Sequence, residues 1–124
     1  MTYGSKYIYK GKEPLIKKKI GLIFGGRSPE HEVSLLSAAS VSRAIDRNKY
    51  SIVYIGITKD GVWKRLNVPL SRSAEELLED GTWEDYAEDF DMGILRSSID
   101  FALPIVHGPY CEDGKLQGFF GGGF

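Results

Sequence analysis

Cysteine, long apolar runs and net charge are all scarce in this chain of 124 residues, and each scarcity excludes a class of protein. The single cysteine, Cys111, excludes an internal disulfide framework and a zinc site built from cysteines. The longest apolar runs, Ile20–Gly26 and Phe101–Val106, are too short to span a bilayer, and no secretory signal follows the lysine-rich start. A net charge of −1 gives no overall basic field for nucleic acid. The composition therefore predicts a soluble protein of a reducing, cytoplasmic compartment, with no membrane or nucleic-acid partner.

The charge is unevenly distributed along the chain. Residues 1–20 carry six lysines and one glutamate, whereas residues 71–100 carry ten acids and two arginines. A basic leader and a solvated acidic surface explain both segments. The alternative is a site for a polyelectrolyte, indicated weakly by tyrosines that alternate with lysines over residues 3–10. We predict a flexible basic leader over 1–16, a domain over 17–118, and a truncated or altered glycine-rich end over 119–124.

Changes of hydrophobic period along the chain predict alternating strands and helices. Strands are expected at Lys19–Phe24, Tyr50–Ile57 and Ile99–Val106, with a short strand at Val62–Lys64 after the turn at Asp60-Gly61. Helices are expected from Ser28–Glu30 to near Arg47-Asn48, over Ser73–Glu79 and from Lys115 to Phe120. The acidic segment Gly81–Gly93 is expected to be irregular and pinned by Trp83, Tyr86 and Phe90. This order predicts an α/β fold, a small three-layer sandwich with a mainly parallel sheet.

Two loops with unusual content follow strands of this predicted sheet. Gly25–Ser34 follows the first strand and His107–Gly114 follows the third. Because the carboxyl ends of parallel strands meet at one edge of a sheet, we expect the two loops to lie close together.

The first loop offers a glycine pair and two acids to a ligand. The pair Gly25-Gly26 lets the backbone approach a ligand closely, although a tight strand-to-helix turn explains it equally well. Glu30 and Glu32 open the helix, where they either complement its positive end or receive a substrate ammonium. His31, between them, is expected to be a surface residue. In the second loop, His107 is placed to titrate near neutrality or to donate to an anion.

Together the two loops resemble a known family. Gly25-Gly26-Arg27-Ser28-Pro29-Glu30-His31-Glu32-Val33-Ser34-Leu35, followed by Ser37-Ala38, is similar to the N-terminal signature of D-alanine–D-alanine ligases. His107-Gly108-Pro109-Tyr110-Cys111-Glu112-Asp113-Gly114, followed by Gln117-Gly118, is similar to that family's second N-terminal signature. The resemblance extends over Tyr50–Trp63 and so covers about residues 17–118.

The resemblance implies a Rossmann-like pre-ATP-grasp domain, the N-terminal part of a ligase that joins two D-alanines for peptidoglycan. Such a parent enzyme uses ATP and Mg²⁺, or Mn²⁺. This chain contains no counterpart of the ATP-grasp domains, so we expect it to hold no metal or nucleotide and to be inactive alone. The substrate partner implied is D-alanine, and a homodimer is left open.

The resemblance also assigns roles to residues. Glu30 would hold the ammonium of the first D-alanine, Val33 would lie near its methyl group, and Ser34 would support the loop. His107 would act close to the carboxylate of the first D-alanine, so that Glu30 and His107 are the expected catalytic pair. Supporting contacts to these residues, and not to the substrate, would come from Gly25, Gly26 and Glu112.

Three alternatives stay open. Cys111 stands where the family most often has glycine, and it is either a tolerated substitution or a functional cysteine. The chain is either part of a ligase or a stand-alone interaction or dimerisation module derived from the same domain. The second substrate is either D-alanine or, in close relatives, D-lactate or D-serine.

Overall fold

The computed structural model of the chain describes residues 16–105. In chain order the elements are β1 Lys18–Gly25, α1 His31–Ala44, β2 Tyr50–Ile57, β3 Trp63–Leu66, α2 Ala74–Asp80, a 3-10 helix Trp83–Tyr86, β4 Ala87–Asp89, α3 Met92–Ser97 and β5 Phe101–Ile105. Within these residues no helix is both long and apolar enough to cross a membrane. The predicted α/β class is confirmed.

The five described strands form one sheet in the order β4-β3-β2-β1-β5. β1 pairs in parallel with both β2 and β5, while β3 runs antiparallel to β2 and to β4. Four of the five strands therefore point the same way, which confirms a mainly parallel sheet. β5 continues through Pro104 to Ile105. An edge strand tolerates proline because one of its sides has no hydrogen-bonding neighbour in the described sheet.

Apolar side chains cover both faces of the sheet, so that the domain has three layers. On one face, Leu22 and Phe24 pack with residues of α1, α2 and the 3-10 helix. On the other face, Ile23 and its β2 neighbours pack with Leu95 of α3. Alternation of side chains along β1 sends consecutive residues to opposite layers, and burial of both sets explains the continuous apolar run.

Trp83 ties the acidic segment to the first layer. Its ring is 1% exposed and meets Phe24 edge to face, with the ring centroids 5.1 Å apart. Gly56 makes room for it, since a Cβ on that residue would lie 2.2 Å from the indole ring. The prediction that aromatic residues pin this segment is confirmed, and Tyr86 and Phe90 also pack against the two core clusters.

Two predictions about secondary structure are wrong. The segment 81–93 is not irregular, because it contains the 3-10 helix, β4 and the start of α3. The first helix ends at Ala44 and not near Arg47-Asn48, because Ile45 is extended and the Asp46 carboxylate accepts the Asn48 N–H at 2.9 Å. This local hydrogen bond replaces a further helical turn. The helix predicted at 115–120 and the proposed boundaries at 118–119 lie outside the described residues, as do residues 1–15 of the leader.

Candidate functional site

The carboxyl ends of β1, β2 and β5 meet at one edge of the sheet. Phe24 lies opposite Ile105, and Gly25 lies opposite Ile57. β5 therefore ends beside the first loop, two residues before His107. This register brings the chain that leads into the second loop next to the first one, as the strand order requires.

Two glycines turn the chain from β1 into the first loop. Gly25 and Gly26 have φ angles of 91° and 107°, in the region that other residues seldom adopt. A Cβ on Gly25 would also lie 2.2 Å from the carbonyl oxygen of Ile57. The Gly26 N–H donates to that same carbonyl at 2.8 Å. The glycine pair is therefore needed for a tight turn held against β2.

Ser34 fastens the loop to both neighbouring strand ends. Its hydroxyl accepts the Gly25 N–H at 2.9 Å and donates to the Ile105 carbonyl. The side chain is fully buried in the first turns of α1. One hydroxyl thus joins the ends of β1 and β5.

Glu30 and Glu32 differ in their partners. Lys59, in the turn after β2, forms an ion pair with Glu32 in which Nζ and Oε2 are 2.6 Å apart. The hydrogen bond from Lys59 lowers the pKa of Glu32, and the same bond raises the pKa of Lys59. Within residues 16–105 the carboxylate of Glu30 has no such cation. Glu30 is exposed at the start of α1, where a negative side chain complements the positive end of the helix.

The expectation for His31 is wrong, since this residue is buried and 3% exposed. Its Nδ1 lies 2.7 Å from the carbonyl oxygen of Gly26. The ring also lies against Gly25, since a Cβ on that glycine would be 3.2 Å from its Cε1. The Ser28 hydroxyl accepts the Glu30 N–H at 3.0 Å and so closes the turn just before the helix.

The turn between β2 and β3 supports the first loop from the side, which sequence reasoning missed. Lys59 holds Glu32, and Arg27 lies over Gly61, where a Cβ would be 2.5 Å from its Nε. Both contacts join residues about thirty positions apart, so no local sequence pattern predicts them. The only available signal is the pair of opposite charges on two loops that the predicted topology places at one edge.

The other predicted site residues divide into two groups. Val33 is 50% exposed and lies one helical turn after Glu30, on α1. An exposed apolar side chain at that position is available to a small ligand. His107, Glu112 and Cys111 lie outside the described residues, and their assigned roles stay predictions.

No metal centre forms within the part of the chain that the structure covers. Among residues 16–105, no three histidine, cysteine or acidic side chains come close enough to hold an ion. The magnesium implied by the resemblance is therefore assigned to no residue among 16–105.

Sequence comparison identifies the family. The family model described as D-ala D-ala ligase N-terminus matches residues 19–121. This chain belongs to that family. The matched range includes the sequences of both loops, 25–34 and 107–114, and the whole of the described sheet after Lys18.

Curated relatives in the family are D-alanine–D-alanine ligases. The ligase of Clostridium acetobutylicum is 45% identical over 107 residues, which are 83% of this chain and 30% of the relative. The ligase of Staphylococcus epidermidis is 37% identical over 109 residues, covering 86% of this chain and 30% of the relative. The chain thus spans about a third of the length of these relatives.

Solved structures of the family share the fold. The VanG D-Ala:D-Ser ligase from Enterococcus faecalis matches with a TM-score of 0.73 and 35% identity, over 86% of this chain and 34% of that one. The D-alanine-D-alanine ligase from Coxiella burnetii matches with a TM-score of 0.63 and 34% identity, over 85% and 33% of the two chains.

Proposed function

We propose that this chain is the substrate-facing N-terminal part of a longer D-alanine–D-alanine ligase, called here the parent ligase. Its task is to bind the first D-alanine at the edge where β1 and β5 end. The curated relatives are named as such ligases, and the matched segment is about 30% of their length. The remainder of the active site, including the groups that bind ATP and Mg²⁺, belongs to the rest of the parent ligase.

The difference between Glu30 and Glu32 carries this proposal. D-Alanine is a zwitterion, and its ammonium needs a carboxylate that no protein cation already neutralises. Within residues 16–105, Glu30 meets this requirement and Glu32, paired with Lys59 at 2.6 Å, does not. Glu30 also follows the glycine turn that brings the backbone close to the sheet edge.

The reaction follows from the resemblance. The carboxylate of the first D-alanine attacks the terminal phosphorus of ATP, which gives an acyl phosphate and ADP. The amine of the second D-alanine then attacks the acyl carbon, loses a proton and expels phosphate, which leaves the dipeptide. The described residues hold the first substrate in place during both steps and do not take part in bond making.

Each described residue has a definite part in this binding. Glu30 holds the ammonium of the first D-alanine, and Val33 contacts its methyl group from the next helical turn. Ser34 and the glycine pair keep the loop in register with the end of β5. His107, near the substrate carboxylate, and Glu112, behind these residues, complete the proposed site.

A ligase that takes D-serine as its second substrate is the second candidate. The VanG D-Ala:D-Ser ligase shares this fold with a TM-score of 0.73. The parent ligase, supplied with D-alanine, D-serine, D-lactate and ATP together, distinguishes the candidates by the mass of its product. We expect D-alanyl-D-alanine, and a predominant mixed product would overturn that choice while leaving the first-substrate site in place.

A matched pair of variants in the parent ligase tests the role of Glu30. Glu30→Gln keeps the size of the side chain and removes the charge that pairs with the ammonium. Losing one partner of a desolvated charge pair costs about 2–5 kcal/mol. We therefore expect kcat/KM for the first D-alanine to fall about 30-fold or more. Glu32→Gln is the control, because it removes a charge from the same helix turn and should change the kinetics little. Parental kinetics in both variants would refute the proposed role.

The chain by itself is expected to be inactive. The purified 124-residue protein should release no phosphate from ATP in the presence of D-alanine and Mg²⁺. Turnover above background would contradict the proposal that the groups that bind ATP and Mg²⁺ lie in the rest of the parent ligase. The sequence of the parent gene distinguishes the ligase from the stand-alone interaction module. A natural reading frame that continues past Gly118 into ATP-grasp sequence supports the ligase, and one that ends without such sequence supports the module.

A further inference from the structure

The buried histidine at the start of α1 has a contact that its helix does not require. His31 is the first helical residue, and its Nδ1 lies 2.7 Å from the Gly26 carbonyl oxygen, five residues earlier. A carbonyl only accepts hydrogen bonds, so Nδ1 carries the proton in this contact. Helix starts are ordinarily stabilised by acceptors for their free N–H groups, and this side chain is instead a donor.

The contact holds the two ends of the first loop together. Gly26 donates its N–H to Ile57 of β2 at 2.8 Å and receives the His31 proton on its carbonyl. The peptide of Gly26 is therefore held between β2 and α1. At the other end of the loop, the Glu30 and His31 N–H groups bond to the hydroxyl and carbonyl of Ser28, each at 3.0 Å. Glu30 lies where this closed loop meets the start of α1.

We propose that His31 is a positioning residue for the carboxylate of Glu30, an inference that rests on the function proposed above. By holding the Gly26 carbonyl, the imidazole fixes the loop from which Glu30 projects at the end of β1. The ring is 3% exposed, so it acts through the backbone and does not touch the substrate. Without this donor the Gly26 peptide is held by its N–H bond to Ile57 of β2 alone, and that bond should open more often.

Three variants separate positioning from general stabilisation. His31→Asn keeps an N–H donor at the same branch of the side chain, and His31→Leu fills similar space without a donor. Ser42→Ala is the matched control on the same helix, because Ser42 is fully buried and its hydroxyl contacts the Tyr54 hydroxyl at 2.6 Å. It lies eleven residues further along, or about 16 Å at 1.5 Å per residue.

Amide hydrogen exchange in the 124-residue chain tests the anchoring. In His31→Leu, we expect the Gly26 amide to exchange about tenfold faster relative to the amides of β2, as a local opening would give. His31→Asn should restore most of the protection. Ser42→Ala should raise exchange across α1 without singling out the loop. Equal exchange at Gly26 in His31→Leu and Ser42→Ala would overturn the anchoring.

Kinetics of the parent ligase test the consequence for the substrate. His31→Leu should raise the KM for the first D-alanine about tenfold while the KM for ATP is unchanged, because small displacements of binding groups have large effects. His31→Asn should recover most of that loss, and Ser42→Ala should lower only the thermal midpoint. If Glu30→Gln impairs D-alanine use but His31→Leu behaves like Ser42→Ala, the positioning role fails alone. If Glu30→Gln has no effect, the proposed function fails first.

Discussion

Ser34 is the residue on which the geometry of the candidate edge depends most directly. In Ser34→Ala, the Gly25 N–H and the Ile105 carbonyl lose their shared partner. An unsatisfied buried polar group costs about 1–3 kcal/mol. Alanine recovers about 0.5 kcal/mol through its higher helix propensity. The Gly25 contact is buried and the Ile105 contact is only part-buried, so the second group costs less than the first. With the gain from alanine subtracted, the free energy of unfolding should fall by about 1–3 kcal/mol.

Urea unfolding followed by circular dichroism measures this loss on the 124-residue chain. The corresponding fall in the thermal midpoint is about 5–20 °C, at about 4–8 °C per kcal/mol for a domain of this size. Ser40→Ala is the control, because Ser40 is exposed on the same helix. A loss below about 0.5 kcal/mol in Ser34→Ala, no larger than a typical surface substitution, would show that Ser34 does not fasten the strand ends together.

Two further predictions concern the packing of Gly56 against Trp83 and the ionisation of Asp80. Gly56→Ala should destabilise the fold by about 1–3 kcal/mol through overpacking, because its Cβ would lie 2.2 Å from the Trp83 ring. Urea unfolding and the near-ultraviolet aromatic signal measure this loss. An unchanged urea midpoint would contradict the packing of Trp83 against Gly56. The hydrogen bond from the Thr82 hydroxyl, with further bonds from its amide and from Arg72, lowers the pKa of Asp80 from 3.8 to about 2. The lowered pKa of Asp80 stabilises the fold at pH values above the unfolded-state pKa, and this stability is lost as the pH falls to the folded-state pKa. Asp80→Asn should therefore flatten the decline in unfolding free energy between about pH 4 and pH 2. An unchanged pH dependence in urea unfolding would refute this.

The elements with strong local signals were predictable from the sequence. β2 has the predicted bounds Tyr50–Ile57, because its β-branched and aromatic residues suit a buried strand. The capping box of Ser73 and Glu76 sets the start of α2 within one residue of the prediction. In the acidic segment, by contrast, β4 exists only because β3 lies beside it, and its three residues carry no pattern of their own.

The candidate site was predictable in outline and not in its contacts. The strand order placed the loop after β1 beside the end of β5, as the register of Phe24 with Ile105 confirms. The sequence did not distinguish Glu30 from Glu32, since the difference lies in Lys59 on a distant turn. Nor did it predict the burial of His31, which depends on the carbonyl that Gly26 turns toward the helix. Contacts of this kind are set by tertiary geometry, which periodicity does not encode.

The central claim is that the Glu30 carboxylate receives the ammonium of the first D-alanine at the edge where β1 and β5 end. A crystal structure of the parent ligase with D-alanine bound is its most direct test. The account predicts the substrate nitrogen at about 2.7–2.9 Å from a carboxylate oxygen of Glu30, the distance of a charge-assisted hydrogen bond. It also predicts that the Lys59–Glu32 ion pair stays intact. A D-alanine whose ammonium meets Glu32, or one bound while the Glu30 carboxylate faces solvent, would contradict it.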